Sequence, residues 1–248
     1  MKYIASCSGG KDSVATLILA KEHGEPLDEV VYSEVMFDKD TSGELPEHRD
    51  FVYNRLKPFV ENVLNVPFII LHSITTYVDF FTHTITRGEN TGKIRGYPIP
   101  GMCGINRDCK IPPISQNWKM QGGDTIQYVG IASDEPLRLA RLQGTQRTSL
   151  LDKYNASQYK AFELCASYGM LSPSYNISNR NGCWFCMNCK DREWAHIIFN
   201  HSQLFEKLMA LEDEHPIRGR DCLTRSETAK QLNERIKRQG QQITMFDL

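Results

Sequence analysis

The sequence lacks several features that would assign it to a particular class of protein. No apolar run approaches the ~20 residues that a membrane-spanning helix needs, and no signal-peptide pattern precedes the first predicted strand. Internal repeats and low-complexity tracts are absent as well. We therefore expect a cytoplasmic protein without a membrane partner.

The sequence also lacks an excess of charge of either sign. It has 29 basic and 30 acidic residues among 248, for a formal net charge of −1. Such a balance creates no overall field that would attract nucleic acids, so a nucleic-acid partner would have to meet a local basic patch. The length is sufficient for one α/β domain with an appendage, or for two small domains.

Cysteine, in contrast, is abundant: the chain has eight. In a chain without a secretory signal, clustered cysteines indicate metal or redox chemistry rather than a disulfide scaffold. Three cysteines at two-residue spacing, within CWFCMNC, can present their thiolates to one metal centre. Cys103, Cys109 and Cys165 are candidates for the fourth ligand, and we favour Cys109. The predicted ligands are Cys109, Cys183, Cys186 and Cys189.

The spacing of these cysteines leaves the identity of the metal open. A [4Fe–4S] cluster is favoured because the ligands would come from two distant segments of the chain and a further thiol lies near them in sequence. Zn²⁺ is the alternative.

The most informative segment is SGGKDS at residues 8–13, directly after an apolar run. Two adjacent glycines allow a tight turn whose N–H groups face an anion. The apolar helix predicted to follow adds its positive end, and Lys11 adds a full charge. A Walker A loop is excluded because it needs four residues between its first glycine and the Gly-Lys pair. Asp12 could position Mg²⁺ or cap the helix.

Strands and helices alternate along the first part of the chain. This order predicts an α/β fold with a doubly wound parallel sheet, whose ligands bind beyond the carboxyl ends of the strands. A change in composition near residue 150 separates a predicted nucleotide-binding domain (1–150) from a mainly helical, Cys-rich part (151–248). The predicted strands are 2–7, 29–37, 67–72 and 126–132; the predicted helices are 12–23, 46–64, 76–87 and 114–121, with a Gly/Pro-rich loop at 88–113.

In this context SGGKDS resembles the PP-loop of the adenine nucleotide alpha-hydrolase superfamily. Further segments, at 37–47, 96–98, 109–114 and 130–138, resemble its phosphoadenosine phosphosulfate (PAPS) reductase-like branch. The resemblance implies a HUP/Rossmann-like fold that binds ATP with Mg²⁺, and a nucleotide site that includes Phe37 and Asp38. It also implies that Arg138 is a second cation for phosphate or acceptor.

The sequence departs from the reductases in one respect that bears on function. Those enzymes have a nucleophilic cysteine in a short motif near the C-terminus, whereas Cys222 here lies in a different context. The interpretation we favour is an ATP pyrophosphatase that adenylates a substrate, for sulfur transfer or nucleic-acid modification. The alternatives are a thiol-dependent sulfonucleotide reductase and a non-catalytic nucleotide-binding accessory protein.

The resemblance and the residues together give the predicted site. The nucleotide-binding set is Ser8, Gly9, Gly10, Lys11, Asp12, Ser13, Phe37 and Asp38, and the catalytic set is Lys11, Asp12 and Arg138. The cysteine motif, with a basic residue after it, is similar to the zinc knuckle of 7-cyano-7-deazaguanine synthases. DNA phosphorothioation enzymes of the same superfamily have an iron–sulfur cluster in a comparable place. The acceptor stays open among tRNA, DNA and a small molecule.

The C-terminal segment suggests two further hypotheses. Residues 217–238 contain seven basic and three acidic groups, a composition typical of either a phosphate-contacting face or a solvated helix. Thr224 and Glu227 have the spacing of a capping box and predict a helix over 225–238. The last residues, 242–246, resemble the peptide by which bacterial DNA enzymes dock on the sliding clamp, which would make the clamp a partner.

Overall fold

The computed structural model describes residues 1–99 and 101–246, with side chains described up to residue 240. This part of the chain contains seven strands: β1 (Lys2–Ser6), β2 (Glu29–Glu34), β3 (Phe68–His72), β4 (Ile94–Gly96), β5 (Thr125–Val129), β6 (Arg147–Thr148) and β7 (Arg218–Arg220).

The same described residues form eleven α-helices: α1 (Lys11–Glu22), α2 (Pro46–Phe51), α3 (Lys57–Asn62), α4 (Tyr77–Thr82), α5 (Ile111–Met120), α6 (Pro136–Leu139), α7 (Leu150–Lys153), α8 (Gln158–Ser167), α9 (Asp191–Asn200), α10 (Ser202–Glu214) and α11 (Ala229–Phe246). Two π-helical turns (Val52–Leu56 and Asn106–Lys110) and two 3₁₀ turns (Ala140–Leu142 and Pro173–Asn176) complete the helical structure of the described chain. No described helix is long and apolar enough to cross a bilayer.

The chain forms two compact units. Unit 1 comprises Met1–Glu34, Glu44–Ser73 and Lys110–Asn181, and contains a five-stranded sheet in the order β3-β2-β1-β5-β6. All four pairings in this sheet are parallel. Helix α5 packs against β2 and β3, while α1 packs against β1, β5, α7 and α8. The predicted α/β fold with a doubly wound parallel sheet is therefore confirmed.

The strand order places the loop of residues 8–10 at the switch point of the sheet. From β1 the chain continues to β2 and β3 on one side, whereas β5 and β6 lie on the other side of β1. In such sheets the crevice opens where the loops after the two diverging strands separate. The strand–loop–helix context expected for SGGKDS is confirmed, since these residues join β1 to α1.

Helix α1 is buried nearly all round, which fixes the position of its N-terminus. Residues 13–20 are all buried, and Val14, Leu17 and Ile18 have no exposed surface. A helix that is apolar on every side is a core element, and each such side chain contributes about 1.5–3 kcal/mol when buried. The loop before α1 is therefore attached to a rigid part of unit 1.

Unit 2 comprises Val35–Gly43, Ile74–Cys109 and the chain from Gly182 onward. Helices α9, α10 and α11 pack on one another around buried Trp194, Phe205 and Leu232. Strands β4 and β7 form a short parallel pair. Both units are discontinuous in sequence, and the boundary predicted near residue 150 lies inside unit 1, at the start of α7.

Two predicted helices differ from the observed ones for local reasons. The helix expected over 46–64 is interrupted by the π-helical turn, just before Pro58 at the start of α3. Proline has no N–H and its ring clashes with the carbonyl four residues earlier, so the regular pattern cannot continue there. The helix expected over 76–87 ends at Thr82, because Thr84 pairs with Ile94 instead.

The predicted cap of the C-terminal helix is wrong. Thr224 accepts from the Glu227 amide and closes a turn, while the helix starts at residue 229. The capping pair is Thr228 with Gln231: each side chain accepts from the other residue's amide, at 3.3 and 3.0 Å. The buried Glu212 carboxylate accepts from the first two amides of α11, so a residue distant in sequence completes the cap.

Gly130→Ala tests how closely β5 and α1 approach. A Cβ at Gly130 would lie 2.6 Å from the Ser13 nitrogen and 2.7 Å from the Asp12 carbonyl carbon, both backbone atoms that cannot rotate away. We expect the variant to lose about 1–3 kcal/mol of unfolding free energy in chemical denaturation. Gly123→Ala is the matched control, because a Cβ there meets nothing within 4 Å. Equal stability of the two variants would contradict the close approach.

Candidate nucleotide-binding and metal-binding sites

The loop after β1 has a backbone conformation that only glycine adopts readily at its second position. Gly9 has φ +74°, and a Cβ there would lie 2.7 Å from His48 Cε1 and 2.9 Å from Val52 Cγ2. Gly10 is the N-cap of α1 and supplies no capping side chain. The N-cap residue therefore supplies no acceptor for the first amides of the helix.

Serine hydroxyls hold the loop closed from inside. Ser13 Oγ donates to the Gly10 carbonyl at 2.9 Å and accepts from the Ser8 amide at 3.2 Å. The Lys11 amide donates to the Tyr175 hydroxyl at 2.9 Å. Among the described residues the amides of Asp12 and Ser13 have no acceptor. These two N–H groups are available to an anion at the positive end of the helix.

A cleft of about 380 Å³ in unit 1 opens beside this loop. Its size is within the usual range for small-molecule sites. It is polar where the loop contributes Ser8 and Ser13, and apolar where Val31 and Ile114 lie. Four cationic side chains also line it: Lys110, Arg138, Arg141 and Arg147. This combination suits a ligand with a polyphosphate and an apolar group.

The cations of the cleft differ in their partners. Arg138 forms an ion pair with Glu135 at 2.6 Å and is half exposed. Arg141 and Arg147 have no ion pair within the described part of the chain. Arg138 is predicted from the sequence, whereas Arg141 and Arg147 are not. The sequence signal for them is the presence of three arginines within residues 138–147. The structure brings all three to one cleft.

Lys11 and Asp12 form an ion pair with each other, with Nζ 2.6 Å from Oδ1. The Asp12 side chain thus accepts from a neighbouring ammonium and not from a helix amide. A bound phosphate would compete with the Asp12 carboxylate for Lys11, and a cation such as Mg²⁺ would compete with Lys11 for the carboxylate. The roles predicted for the two residues therefore require the pair to separate.

Phe37 and Asp38 belong to unit 2. The Phe37 ring is buried against Tyr77 and Trp184, and its N–H and C=O are bonded to other backbone groups. Partial burial opposes ionisation of Asp38, but hydrogen bonds from Lys207 and from the amides of residues 40 and 41 outweigh it and lower its pKa to about 2. Both residues therefore stabilise the turn over 38–41.

His48 contacts the loop from behind. It is buried, with Nε2 3.0 Å from the Ser8 carbonyl oxygen and Nδ1 2.9 Å from Ser172 Oγ. Burial lowers the pKa of His48, and the nearby Glu44 only partly offsets this effect. Because a carbonyl can only accept, the neutral ring carries its proton on Nε2. His48 was not identified from the sequence.

Two buried thiols also contact the loop and α1. Cys7 Sγ lies 3.5 Å from Ser13 Oγ, and Cys165 Sγ donates to the Lys11 carbonyl at 3.1 Å. Burial raises the pKa of Cys7 and raises that of Cys165 to about 12. Both residues are therefore protonated near neutral pH and act as small core residues rather than nucleophiles.

The three clustered cysteines lie in one loop of unit 2, before α9. The Cys186 amide donates to the Cys183 carbonyl at 3.1 Å, and the Cys189 amide donates to the Cys186 carbonyl at 2.8 Å. The loop is attached to the segment over 35–43, since the Trp184 indole N–H donates to the Ser42 carbonyl at 2.8 Å. Successive tight turns thus bring the three thiols onto a short stretch of backbone.

Cys109, in the same unit, lies in the π-helical turn Asn106–Lys110 and contacts the residue that precedes α4. It is buried, and its Sγ donates to the Thr76 carbonyl at 3.6 Å. Burial, with the nearby acidic groups, raises its pKa to about 12. A bound metal would have to remove this proton, because thiolates are the ligands.

Tyr77, the next residue after Thr76, connects this region to the cysteine loop. Its hydroxyl is buried and has no hydrogen-bond partner among the described residues. Burial raises its pKa well above the usual range, and the nearby Glu212, Cys183 and Cys186 add to the effect. A buried hydroxyl without an acceptor, close to two thiols, is consistent with a bound metal centre whose sulfur atoms would accept a hydrogen bond from that hydroxyl.

The basic C-terminal helix is partly neutralised by its neighbours. Arg235 on α11 forms ion pairs with Asp191 and Glu227, each at 2.7 Å. This residue is therefore part of the packing of unit 2 and not a phosphate contact. The segment that resembles a clamp-docking peptide, residues 242–246, has side chains that lie outside the described residues.

Comparisons with known proteins give a distant likeness among solved structures. No protein-family model and no curated protein matches the chain. Among solved structures, the chain is similar to the U34-tRNA thiolase NcsA from Methanococcus maripaludis, solved with its [4Fe–4S] cluster. The identity is 16% and the TM-score 0.45, over 96% of this chain and 71% of that chain. Values this low assign neither a ligand nor an activity.

The buried, neutral His48 makes stability depend on pH in a defined direction. Below its usual pKa of 6.5 the unfolded chain binds a proton at His48 that the folded chain does not bind. Folding is therefore penalised as the pH falls, by at most about 1.4 kcal/mol per pH unit. We expect the stability advantage of the wild type over His48→Gln to shrink between pH 7 and pH 5, measured by urea denaturation. A difference that does not change with pH would show that folding does not lower the pKa of His48.

Tyr77→Phe tests whether the buried hydroxyl belongs to a metal centre. Removing an unmatched buried hydroxyl should raise the unfolding free energy of the metal-free protein by about 1 kcal/mol or more. In protein reconstituted anaerobically with iron and sulfide, this gain should disappear, because the hydroxyl then has a sulfur acceptor. Chemical denaturation of the wild type and the variant, each with and without metal, gives the four unfolding free energies that are compared.

Tyr97→Phe is the matched control for this experiment. Its hydroxyl donates to Glu212 at 2.9 Å, so the variant should lose stability in both forms. If Tyr77→Phe destabilises the metal-free protein as Tyr97→Phe does, the Tyr77 hydroxyl has a partner within the protein and gives no support to a metal centre.

Proposed function

We propose that this chain is a PP-loop ATP pyrophosphatase of the PAPS reductase-like kind, which adenylates an acceptor for attack by a sulfur or nitrogen nucleophile. The supporting observation is the cleft of unit 1. There the uncapped start of α1, with two amides open to an anion, lies beside four cationic side chains. An adenine nucleotide supplies the polyanion and the partly apolar ring system that such a cleft accommodates.

In the proposed reaction an acceptor oxygen attacks the α-phosphorus of ATP. The bond from this phosphorus to the bridging oxygen breaks, so that AMP is transferred to the acceptor and pyrophosphate leaves. Charge grows on the leaving pyrophosphate, and fixed donors that face it lower the barrier. The amides of Asp12 and Ser13, the Ser8 and Ser13 hydroxyls and the Lys11 ammonium are the proposed donors.

The cleft arginines have a second proposed role. Arg141 and Arg147, which lack ion pairs in the described chain, would neutralise the α-phosphate, which stays with the nucleotide, or phosphates of the acceptor. Arg138 would join them by leaving Glu135. Mg²⁺ would accompany ATP, with Asp12 as the carboxylate nearest the loop.

Unit 2 would contribute a metal centre held by Cys183, Cys186, Cys189 and Cys109. The thiol donor set and the unmatched Tyr77 hydroxyl both fit a [4Fe–4S] cluster, with Zn²⁺ as the alternative. When bound, a cluster with an open iron would supply a site for sulfur. The protein's own part would be to keep Cys183, Cys186 and Cys189 in one turn-rich loop and to exclude water with the buried Trp184 and Phe185.

Pyrophosphate release from ATP is the direct test. Protein purified anaerobically should release pyrophosphate with Mg²⁺ and acceptor-containing extract, and Lys11→Ala should lower this rate by at least about 100-fold. Lys21→Ala removes the same charge from the far end of α1 and should leave the rate unchanged.

Three other outcomes would replace the proposal. Equal rates of pyrophosphate release for the Lys11→Ala and wild-type proteins would show that the loop has no catalytic role. Sulfite release from a sulfonucleotide would identify a reductase. Binding of ATP with no turnover under any acceptor would identify an accessory protein.

A further inference from the structure

A second cavity, of about 540 Å³, opens within unit 2. Its size is in the range of small-molecule sites. Apolar and aromatic side chains form most of its lining, among them Phe80, Ile99 and Met102, and two arginines, Arg95 and Arg107, also line it. Unit 2 therefore contains a candidate ligand site that is separate from the cysteine loop and from the cleft of unit 1.

The two arginines give this cavity a positive charge. Arg107 donates to both oxygens of Asp108, at 2.6 and 2.7 Å, and Arg95 lies 3.3 Å from the same carboxylate. The hydrogen bonds from Arg107 lower the pKa of Asp108, which is therefore ionised near neutral pH. One carboxylate between two guanidinium groups leaves a net positive charge. Because no acidic side chain lines the cavity in the described chain, an anion is favoured there and a cation is not.

The inner wall of the cavity presents planar groups. The Arg95 guanidinium lies over the Phe80 ring, with its Cζ 4.3 Å from the ring centroid, and both side chains line the cavity. Aromatic rings and guanidinium planes are the groups against which unpaired nucleobases stack. A flat heteroaromatic group therefore uses this wall more fully than an aliphatic chain would.

The outer part of the lining is exposed and mixes apolar side chains with a cation. Ile99 is 61% exposed and Met102 is 72% exposed, while the Arg107 side chain is 67% exposed. Large apolar side chains that are exposed together mark surfaces that bind a partner. A ligand with an apolar part in the cavity and an anionic part outside it would contact both kinds of group.

The segment that forms the cavity is also more basic than the chain as a whole. Residues 83–109 contain four basic and two acidic residues, whereas the whole chain has a net charge of −1. A balanced chain can attract a nucleic acid only through such a local excess of positive charge. This excess favours a ligand with several phosphates over an isolated small anion.

We propose that the cavity of unit 2 is a binding site for single-stranded nucleic acid, with one unpaired base held beside Phe80 and Arg95 and an adjacent phosphate bound by Arg107. A base that is paired within a duplex cannot enter such a cavity, so the strand must be single at this point. As an assignment of the acceptor the proposal rests on the proposed function, but the binding itself is measured without ATP.

Arg107→Gln tests the phosphate contact. The probes are tetrauridylate and tetrathymidylate, titrated into the full chain by isothermal titration calorimetry at several salt concentrations. We expect the variant to bind at least about threefold more weakly. The slope of log affinity against log salt concentration should become shallower by about 0.7, because one phosphate contact is lost.

Arg225→Gln is the matched control. Arg225 is also an exposed arginine of unit 2, but it does not line this cavity, so its variant should keep the affinity and the salt slope of the wild type. If both variants lose affinity equally, the strand binds through general surface charge and the assignment to the cavity is overturned.

Met102→Ala tests the apolar contact. Removing this side chain from the lining should weaken binding of both probes at least about threefold, with no change in the salt slope. Met120→Ala is its control, because Met120 is almost equally exposed and does not line the cavity. Thermal unfolding midpoints without ligand show that each variant keeps its fold.

The remaining outcomes separate this proposal from the proposed function. Tighter binding of tetrauridylate identifies RNA as the ligand, and tighter binding of tetrathymidylate identifies DNA. If neither probe binds, or if only decyl phosphate binds, the nucleic-acid assignment is overturned, whereas pyrophosphate release from ATP is unaffected. If the probes bind as expected but no pyrophosphate is released, the proposed function fails and the cavity is a nucleic-acid site with another purpose.

Discussion

The burial of α1 against the parallel sheet is the interaction on which the candidate nucleotide site depends. Val14, Leu17 and Ile18 have no exposed surface, so the helix cannot shift without opening the core of unit 1. Its first turn is therefore held at the carboxyl ends of β1 and β5, where Gly130 leaves room for backbone-to-backbone contact. For the anion binding that we propose, rigid placement of these uncapped amides means that the loop need not reorganise.

The surroundings of that loop are arranged from several parts of the chain. The β5-to-β6 connection contributes arginines to the cleft, α2 contributes His48, and the segment after α8 contributes Tyr175 and Asn181. Positive charge lies in the cleft, whereas neutral hydrogen-bonding groups lie behind the loop. The cleft can therefore neutralise a polyphosphate, while the buried side fixes the loop without adding charge to the core.

The candidate metal centre follows a different principle. Three of its thiols lie in a loop of tight turns that also contains buried aromatic side chains. The Trp184 indole donates to the Ser42 carbonyl, and the ring centroids of Phe185 and Tyr77 are 4.1 Å apart. Short spacing in sequence puts three thiols on one loop, but a fourth ligand and the donors around them must come from elsewhere in the chain. Tyr77 lies near two of the three clustered thiols, and Cys109 contacts the carbonyl of the residue before Tyr77.

The sequence alone determined the features that depend on short-range pattern: the alternation of strands and helices, the glycine loop before a buried helix, and the two-residue spacing of Cys183, Cys186 and Cys189. Tertiary structure decided the rest. His48 and Ser172 are 124 residues apart, Glu212 caps a helix that begins 17 residues later, and the chain passes repeatedly between two units. Periodicity and turn chemistry act over a few residues, whereas the partner of a buried polar group is set by which segments the hydrophobic core brings together.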